Sequence, residues 1–227
     1  VNRLYIWLGP AGTVVMFIGL AVAGLAAPPA PDAALVLYAE HREAMQVGLV
    51  IAMIGGALYL PWLAMMARAC SRADRDRTGL AQLQMAFGVI FVILVEFPYL
   101  LLEVAIYRPE NPAPVVQALA DTAWVMAMGF GYTHVVAVLL IGVVMVRERR
   151  ALDVFPRWFG WLNIVCALAS VPSFFAGVVP SGVMAWNGLV AFGSPSVAFF
   201  PWLIAWTVVL LRLERQPASA RQEESAQ

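Results

Sequence analysis

Apolar residues fall in six long stretches along the chain, at about 4–26, 47–67, 80–106, 122–146, 158–178 and 188–211, with short polar connections between them. A helix rises about 1.5 Å per residue, so each stretch can cross roughly 30 Å of hydrocarbon. Backbone groups in lipid must be satisfied within their own segment, which makes helices the expected element. The pattern therefore predicts an all-α, polytopic membrane helix bundle of six transmembrane helices over residues 1–212. Residues 213–227 are polar with no apolar face and read as a disordered tail.

The connections refine this picture. Pro28, Pro29 and Pro31 end the first helix, and Asp32 is placed to cap the next helical segment. One helix from Asp32 to Arg68 would be about 54 Å long, too long for a crossing alone. Residues 33–43 are therefore expected to form a separate outer segment, with a crossing from about Val47. The stretch 107–121 is expected to be the main external loop, with Asp121 capping the fourth helix. Five crossings contain proline (Pro10, Pro61, Pro98, Pro172, and Pro195 with Pro201), which predicts bends that free backbone carbonyls. The related quartets Phe97-Pro98-Tyr99-Leu100 and Phe200-Pro201-Trp202-Leu203 would suit an inverted repeat, but their depths match poorly.

Charge sets the orientation. Arg3; Arg68, Arg72, Arg75 and Arg77; Arg147, Arg149, Arg150 and Arg157; and Arg212, Arg215 and Arg221 lie on alternate connections, and only Arg42 and Arg108 lie on the others. Basic loops stay in the cytoplasm during insertion, so both termini are expected inside, N-in and C-in. Ala21-Val22-Ala23 and Leu25-Ala26-Ala27 resemble signal-peptidase sites. The first stretch is nonetheless expected to stay as a crossing, being longer than a secretory core and preceded by one arginine.

Composition narrows the class. The chain is 62% hydrophobic, its fourteen acidic and fourteen basic residues cancel, and a nucleic-acid partner is not expected. All basic side chains are arginine, which suits a GC-rich bacterium and a multi-pass protein of the bacterial cytoplasmic (inner) membrane. Cys70 and Cys166 are far apart and form no CxxC, so neither a disulfide nor a thiol-redox role is expected.

Candidate chemistry lies in the outer half. Glu96 is about 24 Å up the third helix from Leu80, and His134 about 20 Å above the boundary at Arg147. Ionisable groups at that depth are costly unless they face protein or water, so Glu96 and His134 are expected to face the interior and to touch directly or through one water. Glu96, Tyr99 and Glu103 share a helical face at i, i+3 and i+7 spacing. Glu96, Tyr99, Glu103 and His134 are therefore the candidate site for a substrate or an ion. A buried hydrogen-bonded pair, or a Glu96 that only reaches to the interface, stays open as a structural alternative. Two histidines are too few for a haem or di-iron centre, and neither metal nor cofactor is expected. Gly193-Ser194-Pro195-Ser196 has no adjacent base and reads as an unwound outer end of the sixth helix. Asn163 and Asn187 are expected to bond between helices. Trp7, Trp158 and Trp161 are expected in an inner aromatic belt, and Trp124 and Trp186 in an outer one.

Val154-Phe155-Pro156-Arg157-Trp158-Phe159-Gly160-Trp161-Leu162-Asn163 and Ala185-Trp186-Asn187-Gly188-Leu189-Val190-Ala191-Phe192 resemble segments of a group of uncharacterised actinobacterial six-helix integral membrane proteins. The resemblance covers about the final third of the chain and implies a membrane location but no activity. The expected function is to bind or move a small hydrophobic or amphiphilic molecule through an outer-leaflet-facing cavity, with the lipid bilayer and that ligand as partners. The alternatives are an acid/base enzyme acting on an isoprenoid- or steroid-like substrate, and an accessory subunit without a ligand. Convergent carboxylates in a closed pocket would favour the enzyme, and an open passage would favour transport.

Overall fold

The computed structural model describes residues 2–25, 31–73, 79–129, 131–179 and 181–215. Its regular elements are all helical, with no strand among the described residues. Six helices are long and apolar enough to cross a membrane: Asn2–Val22, Arg42–Ala73, Leu80–Tyr107, Ala113–Arg147, Arg157–Phe175 and Gly193–Arg215. The chain is thus a multi-pass helix bundle. The end that carries Asn2 and Arg215 is called proximal here, and the other end distal.

Each span packs on the next in sequence, and the sixth returns to the first, so the spans form a closed ring. The tightest joint is between spans one and two. A Cβ on Gly19 would lie 2.4 Å from the Ala52 nitrogen, one on Gly48 would lie 2.4 Å from the Gly19 oxygen, and one on Gly55 would lie 2.5 Å from the Met16 nitrogen. Gly12–Gly19 and Gly48–Gly55 are each seven residues apart, nearly two helical turns, so the glycines line up as a seam that brings the two backbones together. Gly142 and Gly160 make a similar approach between spans four and five.

The proximal half is filled. Trp62, Trp202, Trp206, Tyr59, Phe155 and Phe159 are fully buried there and pack largely edge to face. Asn163 joins spans five and six: its Oδ1 accepts from Trp202 Nε1 at 2.9 Å, and its Nδ2 donates to the Phe159 carbonyl at 2.8 Å. Glu214 clasps this end, accepting from Asn2 at 3.2 Å and pairing with Arg72 at 3.7 Å.

Several expectations shift. The outer segment does form its own helix, Pro31–Glu40, with Asp32 already in its first turn, and the chain bends at His41 before the second span begins at Arg42. That span breaks at Leu58, three residues before Pro61, whose missing N–H cannot serve the carbonyl one turn back. The long loop shrinks, because the fourth span starts at Ala113, where Pro112 and Pro114 suit a first turn. Asp121 therefore lies inside the helix, accepting from Gln117 at 2.6 Å, and is not its cap. The sixth span starts at Gly193, not near 188. The unwound stretch is 181–192, whereas Ser194 and Ser196 bond back to Val190 and Phe192 within or just before the first turn. The helix also continues to Arg215, so the expected tail loses its first three residues, and its remainder lies outside the described residues.

Candidate binding cavity

The distal half is hollow. A cavity of about 270 Å³ opens there, lined by residues of spans one, three, four, five and six. At about 30 Å³ per water it has room for roughly nine waters, or for one small organic molecule. Its wall on the third span is a helical stripe, Phe87, Phe91, Leu94, Val95 and Tyr99, whose spacing keeps these side chains on one face. Phe17 and Phe200 stack with centroids 5.7 Å apart and both line the cavity. They are also 39% and 42% exposed, so this pair is part of the wall between the cavity and the outside of the bundle.

The lining is mainly apolar, and its few polar groups are uncharged hydrogen-bonding ones. Thr133, His134, Tyr99, Ser170, Ser173 and Ser196 contribute to it, and no carboxylate or arginine does. Ser170, Ser173 and Ser196 each donate to a carbonyl of their own segment, at 2.9, 2.8 and 2.7 Å. Their protons are used, and their oxygen lone pairs remain as acceptors. The His134 ring lies against Phe87 and Trp202, with centroids 5.6 and 6.0 Å away, and its Nδ1 is buried without a hydrogen-bond partner.

Two of the four candidate residues therefore meet at this site and two do not. Tyr99 and His134 line the cavity. Glu96 is half-buried and turned to the second span, where a Cβ on Gly56 would lie 3.1 Å from its Cγ. Glu103, seven residues on, does not line the cavity either, and its Oε1 is buried without a partner. No hydrogen bond or ion pair joins Glu96 to His134 among the described residues. A ring of six helices has many faces at one height, and Glu96 packs beside Gly56 of the second span while His134 lines the cavity.

Trp124 and Trp186 do not form an exposed belt. They are 6% and 9% exposed and stack on each other at 5.5 Å, while Trp124 lines the cavity and donates to the Tyr38 hydroxyl at 3.2 Å. Burial holds the Tyr38 phenol above its usual pKa, against the opposing effect of the Trp124 hydrogen bond, with the charge of Asp121 adding to the rise. Trp7, Trp158 and Trp161 are exposed near the proximal end. Asn163 makes the expected bond between helices, whereas Asn187 is exposed in the turns before the sixth span.

The serines at 170, 173 and 196 were missed as site residues. The available signal was the polar dip Ser170-Val171-Pro172-Ser173 inside an apolar span, where the helix tightens into a 3-10 turn at Val171–Phe175. Among the described residues no three His, Cys, Asp or Glu side chains converge as a metal site would require. No family model, no curated protein and no solved structure matches this chain.

Proposed function

We propose that the protein binds a small, neutral hydrophobic or amphiphilic molecule in the distal cavity, within a bacterial cytoplasmic membrane and with both termini in the cytoplasm. One observation carries this reading: a hollow lined by aromatic rings, other apolar side chains and uncharged hydrogen-bonding groups, with the partly exposed Phe17–Phe200 pair in its wall. An apolar body fits the rings, and a hydroxyl or amide head fits the serine acceptors and the open His134 nitrogen. The arginine asymmetry supports the orientation, which turns the hollow half to the outer leaflet.

The filled proximal half favours capture and release from one side over passage through the bundle. Proton-transfer chemistry is less well supported, because Glu96 and Glu103 stand away from the cavity. The test is extraction of the purified protein with organic solvent, followed by mass spectrometry of what co-purifies. Ala127→Trp fills the cavity from the fourth span and should remove the co-purifying molecule without lowering the thermal midpoint. Glu96→Gln should leave it in place. Retention in a folded Ala127→Trp variant would overturn the proposal.

A further inference from the structure

Only two arginines depart from the charge asymmetry, and both line the same pocket. This second hollow, about 230 Å³, lies at the distal surface between the helix Pro31–Glu40, the last turn of the third span and the connection to the fourth. Arg42, Arg108, Asn111 and Tyr38 supply its polar wall, and Leu35 and Ile106 are among its apolar residues. Arg42 donates from Nε and Nη2 to the carbonyls of Ile106 and Tyr107, which anchors its guanidinium at the carbonyl end of the third span. A guanidinium has five N–H donors, so Arg42 has donors beyond these two. Arg108 is exposed, and its guanidinium has no hydrogen-bond or ion-pair partner among the described residues.

Acids are close in sequence, yet among the described residues none is ion-paired with either arginine. Glu40, Glu43 and Glu110 are exposed, none lines the pocket, and neither arginine is ion-paired. Two guanidiniums with a carboxamide beside them and no carboxylate make a receptor for an oxyanion, and planar N–H forks suit phosphate best. The apolar part of the wall, at the level where a span leaves the hydrocarbon, suits the glycerol end of a lipid. We infer that this pocket binds a phosphate group, and that its occupant is the phosphodiester headgroup of an anionic phospholipid. The site is separate from the distal cavity and does not depend on what that cavity holds.

The experiment uses the full chain in mild detergent and follows lipid adducts by native mass spectrometry. The probes are phosphatidylglycerol, a diacylglycerol with the same acyl chains, and inorganic phosphate as a competitor. Phosphatidylglycerol should bind in preference to diacylglycerol, and Arg108→Gln should weaken it about tenfold, as expected for loss of a charge-assisted hydrogen bond. Arg149→Gln, which removes the same charge at the proximal end, should change nothing. Arg42→Lys keeps a charge but loses the fork, and should bind more weakly than wild type while staying folded by its thermal midpoint. Competition by equimolar inorganic phosphate would support the phosphate site but assign it to a soluble anion. Equal binding of phosphatidylglycerol and diacylglycerol, no effect of Arg108→Gln, or an equal effect of Arg149→Gln would each overturn the inference.

Discussion

Asn163 shows what one polar side chain contributes inside an apolar bundle. Its amide satisfies an indole N–H on the next span and a carbonyl on its own, so both of its functional groups are used. In water the orphaned indole left by Asn163→Leu would cost about 1–3 kcal/mol. In a membrane the unfolded reference state also finds partners, so the expected loss is nearer 1 kcal/mol. Thermal unfolding in detergent should show a lowered midpoint, and most of that loss should vanish in a Trp202→Phe background, where position 202 has no indole N–H to orphan. An undiminished loss in that background would assign the effect to packing instead. The same residue marks a limit of reading single positions from sequence. Asn163 and Asn187 look alike as polar interruptions, and what separates them is that 181–192 is a run of turns, not part of a span. Trp124 and Trp186 likewise sit where a belt belongs, and are buried because the helix Pro31–Glu40 lies over that end and provides Tyr38 as a partner.

At the scale of elements, the glycine seam decides how the first two spans sit. Gly19→Val should be among the most damaging single substitutions, because the added carbon meets backbone on the facing helix and no side chain can swing away. Overpacking of this kind costs about 1–3 kcal/mol, occasionally more, and should appear as poor folding yield or a clear drop in midpoint. Gly193→Ala is the control: its nearest neighbour to a new Cβ is a leucine methyl at 3.7 Å, so it should be neutral. Equal tolerance of both would mean that the two backbones do not approach so closely. The seam was present in the sequence as two pairs of glycines seven apart. It was passed over because apolar runs give the length of a helix, whereas its contact face is decided only when a partner presents the matching small residues. Span ends were less legible in the expected loop 107–121, where prolines cluster. Pro112 and Pro114 begin a helix, since a first-turn N–H would have no intrahelical partner anyway.

For the whole molecule, the number of crossings was legible because hydrocarbon thickness imposes it on every stretch independently. Which helices face one another was not, since hydropathy is nearly uniform around most of the spans and ring closure depends on packing. Orientation rests on the arginines and can be measured. With Cys70 and Cys166 replaced, Asn111→Cys should react with an impermeant thiol reagent in intact cells, and Ser219→Cys only after permeabilisation. The reverse pattern would turn the bundle over and face the hollow half to the cytoplasm. The ring of spans can be pictured as a hoop whose tightest joint lies between spans one and two, with a second close joint between spans four and five. Spans one and two meet backbone to backbone and are expected to move as a single stave, so a guest bulkier than the resting cavity should be accommodated elsewhere in the circumference. The compliant sector is diametrically different in character: a 3-10 turn ends the fifth span and a run of turns leads into the sixth. Any breathing of the hoop should therefore be felt first by the sixth span, and the phenyl ring of Phe200 would travel with it.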